Sequence, residues 1–170
     1  MAAESKNERV TIGLIQSTIS EDRELNLRKA IEMVREAAKK GAKIVCLPEL
    51  YRTRYFPQWD EMDASGLAES IPGQSTEAFS ALARELGIVI IIPIYEKTED
   101  DYYNSAAVID SDGSLLETYH KTHIPYDPLF YEQSYFSPGD EIRIYETRHA
   151  RFAVLICYDQ WFPEPARVAA

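Results

Sequence analysis

Three residues of unlike chemistry sit where apolar runs give out: Glu49 in "IVCLPEL", Lys121 at the close of "SLLETYHK", and Cys157 at the close of "RFAVLIC". A carboxylate, an ammonium and a thiol are parts for proton transfer and, through the sulfur, for nucleophilic attack. Each has a plainer reading alone. A cysteine in "FAVLIC" is a small core residue, a glutamate after Leu-Pro is solvated or opens a helix, and a lysine ending a strand is exposed. Separations of 72 and 36 residues leave their meeting to the fold. What they share is position, because α/β folds place ligands beyond the carboxyl ends of strands.

The elements that must position them can be read from hydrophobic period. "RVTIGLIQ" (residues 9–16) is β-branched and apolar and predicts a buried strand. Leu27, Ile31, Val34 and Ala38 recur at helical spacing between Asp22 and Lys40, and Gly41 suits the position after a helix. "AKIVCL" (residues 42–47) is a second short strand, so the chain opens with a βαβ unit. Residues 51–75 form a long connection rich in aromatics, of the kind that is functional or disordered; its aromatics argue for order. Thr76 is the expected N-cap of "EAFSALAREL", with Gly87 after that helix. "IVIIIPIYE" (residues 88–96) predicts a fully buried strand. "YYNSAAVID" and "SLLETYHK" flank the turn "SDG" as a hairpin. A second long loop leads to the strands "EIRIYE" and "RFAVLIC". The sum is one α/β domain over residues 1–170, with a mixed sheet and helices on a face.

Composition narrows the partners. Eighteen Lys and Arg against 28 Asp and Glu leave a formal charge of −10, which disfavours a nucleic-acid backbone. Steering of cationic substrates and plain solubility explain that charge equally well. "MAAESKNERV" has no apolar core of a secretory signal, and "IVIIIPI" is too short to span a membrane. The expectation is a reducing, cytoplasmic setting with Cys46 and Cys157 both free, Cys46 in the core. His120 and His123 are too isolated for a metal centre, and no phosphate loop or dinucleotide fingerprint is present, so no cofactor and no metal are expected.

"LPEL" around Glu49, "YHKTHIP" around Lys121 and "ICYDQWFPE" around Cys157 resemble, in this order, the nitrilase superfamily of carbon–nitrogen hydrolases. Glu132, in "DPLFYEQSYFSPGD", matches the second glutamate of that family. The likeness runs from about Val10 to the last residue. His120 departs from it where arginine is usual, and "RHARFAV" where a glycine-containing turn is usual. The resemblance implies a four-layer αββα sandwich and a homo-oligomer. It also implies a small-molecule substrate, on the pattern of the branch that hydrolyses N-carbamoylputrescine, with N-carbamoyl amino-acid and β-ureido acid hydrolases next.

The same resemblance assigns roles. Cys157 is the nucleophile, Glu49 the general base, and Lys121 with the backbone N–H of Tyr158 the oxyanion donors. The Lys121 ammonium is expected to favour a resting thiolate. Glu132 orients Lys121 or contacts substrate, and Asp159 contacts substrate or caps the following helix. Tyr126, Phe130, Tyr131, Tyr135 and Phe136, with Trp161, are candidates for the pocket wall. Family members are considerably longer, and "ARVAA" stops without a helix-ending signal. The expectation is therefore a C-terminally incomplete sandwich, with these 170 residues poorly stable and inactive alone.

Overall fold

The chain opens as strand, helix, strand because its apolar residues change period twice. In the computed structural model, which describes residues 9–170, β1 is Ile12–Leu14, α1 is Arg23–Lys39 and β2 is Ile44–Cys46. The leader reading at residues 1–10 lies, but for its last two residues, outside the described part. The Asp22 carboxylate caps α1 by accepting from the Leu25 N–H at 2.9 Å. Gly41, at φ +95°, turns the chain out of the helix. β1 and β2 pair in parallel, Ile12 opposite Ile44, and β2 pairs in parallel with β3 (Val89–Lys97), Ile44 opposite Val89.

The helix before β3 starts earlier than the sequence suggests. α2 spans Gln74–Leu86 with Gly73, not Thr76, at the N-cap. Thr76 is instead three positions into the cap: its hydroxyl accepts from the Gly73 N–H at 2.8 Å. Gly73 holds the cap because a Cβ there would lie 2.3 Å from the Ser70 carbonyl oxygen. At the far end Gly87 takes φ +64° and closes the helix, as its position predicts.

β3 and β4 (Tyr102–Ile109) form the long antiparallel centre of a five-stranded sheet ordered β1-β2-β3-β4-β5. Ile90, Ile92 and Ile94 point to the helix side, where they pack with Leu27, Val34, Phe79 and Leu82. Val89 and Ile91 point the other way, with Ile44, Ala106 and Val108. Both faces of β3 are thus buried, which is why its sequence is continuously apolar and does not alternate. Each such isoleucine contributes roughly 1.5–3 kcal/mol by leaving water.

The hairpin after β4 is present but ragged. Its return strand is reduced to a bridge at Leu115 and to β5 (Tyr119–His120), which pairs antiparallel with β4. A small hairpin, β6 (Tyr126–Asp127) with β7 (Phe130–Tyr131), projects from the second long loop. β8 (Ile144–Glu146) and β9 (Arg151–Ala153) then make a two-stranded antiparallel sheet. Its Tyr145 and Phe152 lie against the second face of the large sheet. Helices, sheet and the start of a second sheet are therefore three layers of an αββα sandwich. α3 (Pro163–Ala169) follows the second sheet.

Two strand expectations are corrected. β1 is not a buried strand: Ile12 is 58% and Leu14 80% exposed, since the β8–β9 sheet does not reach that edge and only Gly13 faces α1. Cys157 does not end a strand either. β9 stops at Ala153, whose partner Ile144 is the first residue of β8, and three residues, Val154 to Ile156, separate the strand from Cys157.

Candidate active site

Glu49 follows β2 through Leu47 and Pro48, and Leu50 takes φ +50°, so the chain turns sharply directly after the carboxylate. Lys121 follows β5, with its N–H held by the Asn104 carbonyl of β4 at 2.9 Å. The two side chains meet: Lys121 Nζ donates to Glu49 Oε1 at 3.1 Å and to Glu132 Oε2 at 2.7 Å. Lys121 and Glu132 are fully buried, while Glu49 keeps 25% of its side chain exposed. Such a buried ammonium is tolerable only because two carboxylates surround it. Burial pulls the Lys121 pKa down, but the charges of Glu49 and Glu132 outweigh it and leave the value raised, so the amine is held charged. Burial pushes Glu132 up, against the pull of the Lys121 ammonium and the Tyr55 hydroxyl.

Two further residues complete this network, and sequence reasoning missed both. The Tyr55 hydroxyl donates to Glu132 Oε1 at 2.7 Å, and Asn104 Nδ2 donates to Glu49 Oε1 at 2.7 Å. Burial, then the hydrogen bond to Glu132, raise the Tyr55 phenol and keep it a donor. The signal for Asn104 was present in "YYNSAAVID": an asparagine inside an apolar strand is buried and must find a partner. Tyr55 carried no such signal among the many aromatics of its loop.

Cys157 opens a single 3₁₀ turn, Cys157–Trp161, and takes φ +46°. That left-handed backbone costs a side-chain-bearing residue roughly 1–2 kcal/mol. The turn leaves the thiol residue exposed at the surface. Its pKa is raised, first by loss of water and next by the negative charge of Glu49, with Lys121 pulling the other way. The Lys121 charge thus pulls toward the thiolate, as expected, but burial and the Glu49 carboxylate outweigh it.

Asp159 braces that turn. It is wholly buried, and its carboxylate accepts from the Ile156 N–H at 2.9 Å, at the entry to the Cys157 turn. It also accepts from Tyr119 Oη at 2.7 Å and from Thr122 Oγ1, His123 N–H and His123 Nδ1, each at 2.9 Å. Asp159 thus caps the Cys157 turn itself and not the following helix, with both of its oxygens already accepting hydrogen bonds. Its pKa is lowered even though burial pushes upward, because these donors favour the charged form.

The other expected pocket residues divide. Tyr135 and Phe136 are core, packed with Leu50, Phe56, Ala64 and Tyr95, because the aromatic connection folds back on the loop that carries them. Tyr126 and Phe130 stay exposed on the small hairpin, Tyr131 is half-buried beside Tyr126, and Phe130 lies 6.0 Å from Tyr55. Trp161 is 79% exposed and touches Tyr158 alone among the aromatic rings of the described residues. His120 bonds Glu96 at 2.9 Å and stacks on Tyr103; His123 stacks on Phe162. Among the described residues no group of three or more His, Cys, Asp and Glu is arranged to hold a metal. No helix of the described residues is long and apolar enough to cross a membrane.

Two carboxylates around a buried ammonium, next to an exposed thiol on a strained turn, bring together groups suited to proton transfer and nucleophilic attack. Comparison with known proteins agrees in kind. The family model for carbon-nitrogen hydrolases matches residues 11–170. An N-carbamoylputrescine amidase of Solanum lycopersicum is 40% identical over 167 residues, covering 97% of this chain and 56% of that protein. The omega-amidase NIT2-B of Xenopus laevis is 39% identical over 171 residues, covering 94% and 58%. The crystal structure of a carbon-nitrogen hydrolase from Helicobacter pylori G27 superposes with a TM-score of 0.87 at 33% identity, over 94% of this chain and 55% of that one. The chain thus spans a little over half the length of the relatives it matches. By sequence model, by relatives and by fold, it belongs to the carbon-nitrogen hydrolase family.

Proposed function

We propose that the polypeptide containing this chain hydrolyses a non-peptide C–N bond through a cysteine thiol, with N-carbamoylputrescine as substrate. Residues 1–170 are then the N-terminal part of one catalytic domain. The observation that supports this reading is the ammonium of Lys121, held at 3.1 Å from Glu49 and 2.7 Å from Glu132 beside the exposed Cys157. The 40% identity to an N-carbamoylputrescine amidase supports the substrate.

In this reading Glu49 takes the proton of Cys157 as the sulfur attacks the carbamoyl carbon. The oxyanion forms toward Lys121 and the N–H of Tyr158, the latter unspent in the first turn of its 3₁₀ helix. Glu49 then gives its proton to departing ammonia, leaving a carbamoyl-cysteine. It next takes a proton from water, which attacks that carbonyl. The sulfur leaves with the proton, and the released carbamic acid splits into putrescine and carbon dioxide. Glu132 and Tyr55 keep Lys121 in place without touching the reacting atoms. No cofactor enters. The two unpaired cysteines suit a reducing, cytoplasmic setting, and the complete protein works as a homo-oligomer.

A second reading keeps the machinery and changes the substrate to a linear amide; the 39% identity to an omega-amidase favours it. The test is ammonia release by the polypeptide as its gene encodes it, from N-carbamoylputrescine, N-carbamoyl-β-alanine and a linear ω-amide. Preference for the first supports the proposal, and preference for the amide replaces the substrate. Turnover that survives Cys157→Ala defeats both. A folded protein that releases ammonia from none of them would point to a non-catalytic member serving as an association partner.

A further inference from the structure

We infer that Asn104 is the positioning residue that fixes which oxygen Glu49 presents to Cys157. The inference rests on the reading of Glu49 as general base. Asn104 is fully buried in β4, on the face that carries Ala106 and Val108. It holds both halves of the site from one position. Its carbonyl accepts the Lys121 N–H at 2.9 Å, and its Nδ2 donates to Glu49 Oε1 at 2.7 Å.

That bond selects between the two oxygens of Glu49. Oε1 accepts from both Asn104 and Lys121, whereas Oε2 accepts from no group among the described residues. The carboxylate is therefore pinned by one oxygen and presents the other, and Oε2 is the oxygen that receives the Cys157 proton. Asn104 Oδ1 is buried without a partner among the described residues, so the amide is held through Glu49 alone. Turned over, it would set Oδ1 against the carboxylate and lose its side-chain bond.

The experiment compares the encoded polypeptide with its Asn104→Ala and Asn104→Asp variants. At neutral pH kcat should fall by about ten- to a hundredfold while KM stays within about twofold. Asp matches Asn in volume, so Asn104→Asp carries the test if Asn104→Ala does not fold. The second readout needs no turnover: at one neutral pH the Glu49 ¹³Cδ resonance, assigned by Glu49→Gln, should move in both variants as the Asn104 Nδ2 donor is lost. A wild-type protein that turns over none of the substrates ends the functional reading, and the resonance still decides the role of Asn104. A Glu49 ¹³Cδ resonance unmoved in both variants, or a kcat within about twofold of wild type, would overturn the inference.

Discussion

The two faces of the five-stranded sheet are built to different degrees. On one, α1 and α2 close over Ile90, Ile92 and Ile94, and Val34, Phe79 and Ala83 are completely buried. On the other, β8 and β9 cover the β3–β5 side, with Tyr119 and Ile156 inside, and leave Ile12 and Leu14 of β1 open. The candidate site straddles this boundary. Lys121 and Glu132 belong to the finished interior, Glu49 is partly open, and Cys157 is exposed. The charged pair is walled in, and the thiol is not.

The largest expected effect breaks the finished side. Lys121→Met would strand Glu132 in the interior without its counter-ion. It should lower stability by about 3–5 kcal/mol, read by denaturant unfolding of the encoded polypeptide, and abolish turnover. Ile92→Ala, in the helix-covered core, should cost about 2–5 kcal/mol on the same measurement while the site chemistry survives in the folded fraction. Leu14→Ser sharpens the contrast. If the rest of the polypeptide completes the second sheet, as proposed, the loss should be about 1–2 kcal/mol. A loss under about 0.5 kcal/mol would show this face to be bare in the working protein.

The smallest effect concerns the thiol. Because burial and the Glu49 charge disfavour the Cys157 thiolate, alkylation by iodoacetamide should climb with pH around a midpoint above that of a free thiol. Glu49→Gln removes a negative charge and should bring that midpoint down, whereas Lys121→Met removes a positive one and should send it up. Mass-spectrometric rates at Cys157 across pH decide it; a midpoint unmoved by Glu49→Gln would separate the two groups.

The parts of this molecule that follow from local pattern were legible. α1 announces itself by the spacing of Leu27, Val34 and Ala38 between Asp22 and Gly41, and β3 by an unbroken apolar run. Glu49, Lys121, Glu132 and Cys157 were legible as an ordered set, although their distances were not. What escaped depends on neighbours distant in sequence. Tyr135 and Phe136 look like any loop aromatics until Phe56 and Tyr95 come to meet them. Asp159 reads as a helix cap, because nothing in "CYDQW" says that Tyr119, Thr122 and His123 will converge on it. The length of β9 was overestimated for a like reason: an apolar run becomes strand only as far as its partner runs beside it.

Asp159 also sets an order of events during synthesis. Its carboxylate binds residues made 36 to 40 positions before it. The cluster of Glu49, Tyr55, Asn104, Lys121 and Glu132 is built entirely from residues that precede Cys157, so its hydrogen bonds need nothing made after the thiol. Cys157 arrives late, and its strained turn gains its brace only when Asp159 follows two residues behind. The brace of the Cys157 turn is therefore the last of these contacts that synthesis makes possible.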